Sequence, residues 1–249
     1  MGSALLAQWA RGSEAITVVN PSPRAVPEGV RLVNDIASLE GETFDCIVAG
    51  VKPQMLEEVM PPYALLLAEG GYVLSIAAGF AAKRLSALMR GAPVVRTMPN
   101  LPAAIGQGVS GLCAGEGVAR AQMAHAEQFM RRAGTVITVD SEDRLDRVTV
   151  VAGCGPGYVF EIARTYVAAA MAQGFTEAEA RSMVLSVIGG SIAMAAEPDA
   201  PSFEDLRNSV TSKGGVTAEG LQALNGDGEL TRRFQRTLEA AYERAVQLR

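Results

Sequence analysis

The order of apolar and polar residues changes its period partway along the chain. Up to about residue 140, short apolar and β-branched runs recur at Ala15–Val19, Asp45–Val51, Tyr72–Ile76, Val94–Thr97, Val109–Ala114 and Thr135–Val139. Between several of them lie stretches of helical period, Gln54–Leu67, Ala81–Met89 and Val118–Ala133. Strand signals alternating with helical ones predict an α/β domain built on a mostly parallel sheet. After Asp140 the strand signals stop. Helices are expected over roughly 142–151, 156–172, 177–196, 202–209, 217–225 and 229–247. Thr176 and Glu179 have the spacing of a capping box and open one of these. Two domains follow from the change of period: residues 1–140 around a sheet and residues 141–249 all helical.

Helices 156–172 and 177–196 lack the one-sided pattern of a surface helix, and Ser182–Ala196 carries no charge. A helix that is apolar all round is buried all round. It is either a central core helix or part of an intertwined homodimer interface. The helical half alone has too little bulk to enclose it, which favours the interface.

Composition narrows the classes of function. The chain has 249 residues, 49% hydrophobic and 20% charged, enough for a sizeable core. A net charge of −5 without a basic stripe argues against nucleic acid as a partner. Cys46, Cys113 and Cys154 are scattered and lack metal-ligand spacing, so reduced thiols and a cytoplasmic location are expected, with no metal site. The opening MGSALLAQWARG has no secretory pattern, and Leu6 stands where a myristoylation signal wants Ser or Thr. Ser182–Ala196 is shorter than the ~20 residues a membrane span needs, so no membrane partner is expected.

Candidate chemistry clusters at predicted strand ends and helix starts. Met1-Gly2 before Ser3-Ala4-Leu5-Leu6 reads like the close of a dinucleotide fingerprint, with a helix start aimed at a pyrophosphate. The strand and leading glycines of that fingerprint do not appear. The second strand of such folds ends with the residues that read the adenosine ribose. Here Asn20-Pro21-Ser22-Pro23-Arg24 offers no acid, whereas Ser22 and Arg24 can donate to a 2′-phosphate. A Pro-rich surface loop with a solvated Arg accounts for the same residues. Val51-Lys52-Pro53, Ser75-Ile76-Ala77-Ala78-Gly79 and Arg96–Pro102, which includes Asn100, each follow a strand. That is where open α/β sheets bind ligands. Gly153-Cys154-Gly155-Pro156-Gly157-Tyr158 and Val210–Thr217 are glycine-rich loops that open helices. In the second, Gly214 and Gly215 allow a carboxylate close, and Thr217 is the natural helix cap. Both also read as ordinary helix starts. The single histidine, His125, falls in a polar helical stretch and is expected on a solvated face.

Six of these segments carry a resemblance. MGSALL, VKPQ, SIAAG, RTMPNLP, GCGPGYVF and LRNSVTSKGGVTAEGLQALN occur in an order and form similar to the pyrroline-5-carboxylate reductases, over almost the whole chain. The chain departs from that pattern in lacking the first strand, in Cys154 for the usual Ser, Gly157 for Ala, Lys213 for Pro, and Val216 for Thr or Ala. The resemblance implies an N-terminal Rossmann-like, doubly wound NAD(P)-binding sheet and an all-α C-terminal dimerisation domain. It implies reduction of 1-pyrroline-5-carboxylate to L-proline in a homodimer or larger homo-oligomer, at a cleft between subunits.

An imine reduction needs positioning more than acid–base machinery, because a protonated C=N is already an electrophile. The expected roles follow. Met1, Gly2, Asn20, Ser22, Arg24, Val51, Lys52, Pro53, Ala77, Ala78, Gly79 and Asn100 hold the cofactor, NADP or else NAD, with Lys52, Pro53, Ala77 and Asn100 at the nicotinamide end. Ser212, Lys213, Gly214, Gly215, Val216 and Thr217 hold the substrate carboxylate, and Thr217 bonds the ring nitrogen as the catalytic side chain. The alternatives are a truncated, non-catalytic homologue and an NADP-linked reductase of another imino or hydroxy acid. The absent first strand would lie centrally in the sheet. Its loss is expected to weaken dinucleotide binding and the N-terminal half.

Overall fold

The computed structural model describes residues 1–248. Helices α1 (Gly2–Trp9), α2 (Leu56–Val59), α3 (Ala82–Leu88), α4 (Arg120–Arg131) and α5 (Glu142–Val148) alternate with strands. The strands are β1 (Thr17–Val19), β2 (Arg31–Val33), β3 (Phe44–Ala49), β4 (Leu67–Ser75), β5 (Val94–Met98), β6 (Gly108–Ala114) and β7 (Gly134–Val139). A π-helical turn, Thr149–Gly153, follows α5. Then come α6 (Gly155–Met171), α7 (Glu177–Ala195), α8 (Phe203–Ser209), α9 (Val216–Asn225) and α10 (Glu229–Gln247). The chain divides into two compact units: residues up to Pro156 together with those from Ala241 on, and Gly157–Ala240.

In the first unit β1 and β2 pair in parallel, and β3-β4-β5-β6-β7 form a second ladder. The pairing in that ladder is parallel except between β5 and β6. The ladder is interrupted between β1 and β3, where the sequence reading expects the absent strand. Both strands nevertheless feed the same two core layers. Val19 of β1 joins Ile47 and Ala49 of β3 in one apolar cluster. Ile16, beside β1, joins Cys46 and Val48 in the other. Alternation of side chains along each strand produces this division. The second layer is closed by Leu5 and Trp9 of α1, Phe129 and Met130 of α4, and Leu112 of β6.

Three local expectations need correction. Gln54–Leu67 is not one helix. Pro53, Pro61 and Pro62 divide it into 3-10 turns, Pro53–Met55 and Pro61–Leu65, around the single turn of α2, and its last residue opens β4. Strand β2 was not expected. Its three residues gain their extended form from pairing with β1. His125 is not solvated. It is half-buried on α4, where its ring stacks near Phe129 at 5.9 Å and its Nδ1 shares a 2.8 Å hydrogen bond with the Tyr72 hydroxyl.

The second unit is helical throughout. Thr176 and Glu179 form the expected capping box on α7: the Thr176 hydroxyl accepts from Glu179 N, and the Glu179 carboxylate accepts from Thr176 N at 2.9 Å. Helices α6 and α7 leave large apolar side chains uncovered within the subunit, Phe160 being 59% and Leu185 54% exposed. Among the described residues no helix is long and apolar enough to cross a membrane.

Candidate active site

Several of the expected cofactor residues of the first unit lie at or beside the start of α1. The first intrahelical bond is Leu5 N to Met1 O at 3.1 Å, so the amides of Gly2, Ser3 and Ala4 have no helical partner. No acid stands in the first turn. An anion is therefore favoured there by both free donors and the helix dipole. A side-chain carbon at Gly2 would lie 4.0 Å from the Gly50 carbonyl, which places the end of β3 against this helix start. The loop after β1 arrives from the other side. Asn20 Oδ1 accepts from Ser22 N at 3.0 Å, an Asx turn, and the Arg24 guanidinium donates to the Ser3 hydroxyl. Arg24 is thereby held at the helix start, a tie that sequence reasoning did not foresee because Ser3 lies 21 residues away.

The strand-end loops bring the remaining residues to the same edge. Lys52 is exposed beyond β3, with Val51 and Pro53 half-buried. Ala77 is buried at the end of β4, its N donating to Ser75 Oγ at 3.3 Å, and Ala78 is exposed. Gly79 has φ +68°, and a side-chain carbon there would fall 2.6 Å from the Leu248 carbonyl oxygen. Only glycine satisfies both the left-handed backbone and that approach. The side of Gly79 read as open to a flat ring is thus taken by Leu248.

Asn100 is buried, and both ends of its amide are engaged within the protein. Nδ2 donates to Ala152 O and Oδ1 accepts from Val109 N, each at 2.9 Å. Nearby, Arg96 of β5 is 2% exposed and pairs with Glu142 Oε1 at 2.9 Å. The same carboxylate oxygen accepts from Ala82 N at 2.8 Å and so caps α3, whose own cap residue, Ala81, has no side-chain acceptor. Sequence reasoning missed this Glu142 link because no local spacing connects residues 82, 96 and 142.

Two groups of the sheet are perturbed by enclosure. Burial pushes the Cys46 thiol up to about 11 and raises the Tyr72 hydroxyl, so neither ionises near neutrality. Among the described residues no group of His, Cys, Asp and Glu could hold a metal ion.

The expected substrate residues lie together in the second unit. Gly215 N donates to Ser212 O at 2.9 Å, closing a β-turn with Lys213 and Gly214 at its centre. Gly214 has φ +69°, the left-handed value that a type II turn needs at its third position. Lys213 holds the second position, which such turns often give to Pro. Helix α9 starts at Val216, one residue earlier than expected, and its cap residue is Gly215, two residues before Thr217. Thr217 is therefore not the cap. It stands inside the first turn, exposed, and its hydroxyl makes no hydrogen bond among the described residues. The first helical bond is Glu219 N to Gly215 O at 3.2 Å, so the amides of Val216, Thr217 and Ala218 have no helical partner. Ser212 and Lys213 are exposed beside them, and Val216 is 93% exposed. The first turn also carries Glu219, whose charge makes this helix start less favourable to anions than that of α1.

A Rossmann-like sheet with unpartnered helix-start amides at its carboxyl edge, followed in the chain by helices with uncovered apolar faces, is the architecture of a dinucleotide-dependent oxidoreductase. Residues 142–248 match the family described as pyrroline-5-carboxylate reductase dimerisation. A pyrroline-5-carboxylate reductase of Vibrio alginolyticus is 34% identical over 242 residues, covering 95% of this chain and 88% of that protein. A pyrroline-5-carboxylate reductase structure from Coxiella burnetii is similar with a TM-score of 0.86 and 30% identity, covering 99% of this chain and 94% of that one. The Plasmodium falciparum pyrroline carboxylate reductase, solved with NADP bound, gives 0.85 and 25% identity, covering 100% and 94%. The chain belongs to the pyrroline-5-carboxylate reductase family.

Proposed function

We propose that this chain reduces 1-pyrroline-5-carboxylate to L-proline with NADPH, as the last step of proline biosynthesis in the cytosol, acting as a homodimer or larger homo-oligomer. The observation that carries the reading is the start of α9. There an exposed, unbonded Thr217 hydroxyl stands beside unpartnered amides and a glycine turn. Such a start suits a small carboxylate with a neighbouring nitrogen. The family relatives favour this reading over the non-catalytic and hydroxy-acid alternatives.

The residues of the first unit fit a dinucleotide phosphate. The start of α1 offers free amides, and Arg24 is held beside it with no acid at the end of β1 to repel a 2′-phosphate. When bound, the reduced cofactor supplies the hydride that the imine carbon receives. Arg24 and Ser22 hold the adenosine end, the amides of Gly2 and Ser3 the diphosphate, and Lys52, Pro53 and Ala77 the nicotinamide end. The backbone donors of Gly214, Gly215 and Val216, with Ser212 and Lys213, hold the substrate carboxylate. The Thr217 hydroxyl bonds the ring nitrogen. Hydride addition turns that nitrogen from a protonated imine into a neutral secondary amine, which takes up one proton from solvent to become the ammonium form of proline, so no side chain need change charge. Fixing the reacting atoms in this way can account for roughly 7–11 kcal/mol of the barrier.

The test is steady-state turnover with 1-pyrroline-5-carboxylate and, separately, with small hydroxy acids and cyclic ketimines, using NADPH and NADH. Selective turnover of the pyrroline with a preference for NADPH supports the reading. Equal use of the two cofactors removes the role given to Arg24, and turnover of a hydroxy acid instead removes the substrate.

A further inference from the structure

An unusual junction joins the sheet to the helices. After α5 the chain runs through the π turn, in which Cys154 N donates to Thr149 O at 2.9 Å, and reaches Pro156 at the second position of α6. The carbonyl of Ala152 lies four residues before Pro156, where a helix would supply an N–H donor. Proline has none. The donor comes from elsewhere: Asn100 Nδ2, at 2.9 Å. The same amide uses its oxygen on Val109 N, at the start of β6, just past the last register pair of β5 with β6, Met98 and Gly111. One buried side chain therefore takes the place of a missing helix donor and of a missing strand acceptor.

We propose that Asn100 is a positioning residue, not a cofactor contact. Its amide splices the π turn to the end of β5 in place of the N–H that Pro156 lacks, and thereby holds the loop that carries Met98 and Pro99. Three observations support it. Asn100 is buried to 6% exposure, which leaves little of it for a ligand to touch. Both polar ends already have partners with good geometry. The π turn packs directly on the strand end, since a side-chain carbon at Gly153 would lie 3.9 Å from Met98 Cγ and 3.3 Å from Thr149 Cγ2. A shift of the turn is therefore passed to the loop after β5. π turns inside helices are frequent at functional sites, and here the sequence reason for one is visible in Pro156.

The proposal rests on the reductase reading for its effect on rate, but the splice itself does not. The experiment is a double-mutant cycle in the full chain between Asn100→Ala and Pro156→Ala, read by turnover and by urea midpoint. Pro156→Ala restores an N–H that can donate to Ala152. Alone it should change kcat by less than about twofold, because Asn100 already serves that carbonyl. Asn100→Ala should lower kcat about tenfold or more, with KM for NADPH within about twofold. The double variant should recover about threefold or more of that loss, and its urea midpoint should lie above the sum of the single effects. If Asn100→Ala fails to fold, Asn100→Asp keeps the acceptor for Val109 and removes the donor, and recovery by Pro156→Ala is scored on it in the same way. A rise in KM for NADPH with kcat unchanged, indifferent to residue 156, would make Asn100 a cofactor contact and overturn the proposal. A lower urea midpoint with normal kcat in the folded variant would reduce it to a stability residue. Turnover absent from the unmutated chain would overturn the functional reading, and the splice would then stand or fall on the urea coupling alone.

Discussion

Thr217 separates a catalytic role from a structural one more cleanly than any other residue. In a helix start of this kind a threonine usually caps, and its loss then costs about 0.5–2 kcal/mol of stability. Here the cap position belongs to Gly215, and the Thr217 side chain is exposed and unbonded. Thr217→Ala therefore removes no hydrogen bond of the folded chain. Alanine also has the higher helix propensity, by at most about 0.7 kcal/mol. Stability should stay within roughly 0.5 kcal/mol or rise slightly. If the hydroxyl bonds the ring nitrogen, the loss is of a hydrogen bond to a charged group, about 1.5–3 kcal/mol. That corresponds to a fall in kcat/KM of about 10–150-fold. The assay is NADPH oxidation at varied pyrroline concentration, with urea unfolding on the same preparations. Thr217→Ser, which keeps the hydroxyl, should retain most of the activity. An alanine variant with unchanged kcat/KM, or one that loses activity only in proportion to lost stability, would refute the reasoning.

Three other outcomes are expected. Glu142→Ala should strand the buried Arg96 and uncap α3; because Glu142 is about a third exposed, the cost should be nearer 2–4 kcal/mol than the full buried-pair value, and a urea-derived loss below about 1 kcal/mol would argue against the link. Leu185→Asp, at a position exposed within the subunit, should reduce the oligomer mass measured by light scattering while helicity persists; an unchanged mass would show that this face of α7 is not an interface. The Arg132 guanidinium holds the Glu14 carboxyl below its ordinary value of 4.5. The stability it contributes is therefore complete above that value and is lost as pH falls through the lowered one, so Glu14→Gln should flatten the acid limb of the stability profile, and an unaltered limb would contradict this.

Much of the fold was legible because it follows from patterns the residues impose locally. Six strands and most of the helices came from alternation of period, and the uncovered faces of α6 and α7 from the lack of a one-sided pattern, which in α7 includes the uncharged run Ser182–Ala196. What was not legible depends on partners distant in sequence. Strand β2 is three residues long and exists through its pairing with β1. The proline break in Gln54–Leu67 was readable from Pro61-Pro62 and was passed over. His125 was read as solvated, although Phe129 follows it at the spacing of one helix face.

The candidate site shows the same division. The glycine turn and the helix start of α9 were legible from residue types, but the cap fell two residues earlier, at Gly215 in place of Thr217, because Gly215 takes the extended conformation that a cap needs. The grouping of Asn20, Ser22 and Arg24 at α1 was expected, whereas the Arg24–Ser3 tie was not. The links through Glu142 and Asn100 had only one trace in the sequence: a proline placed where a helical carbonyl needs a donor.

The central claim is that hydride passes from NADPH to the imine carbon of 1-pyrroline-5-carboxylate on this chain. The most direct measurement uses NADPH deuterated at C4 and follows the product by mass spectrometry and NMR. The account predicts L-proline carrying a single deuterium at the former imine carbon, formed in step with NADPH consumption. Proline without the label, or label lost to solvent, or no proline from the folded chain, would contradict it.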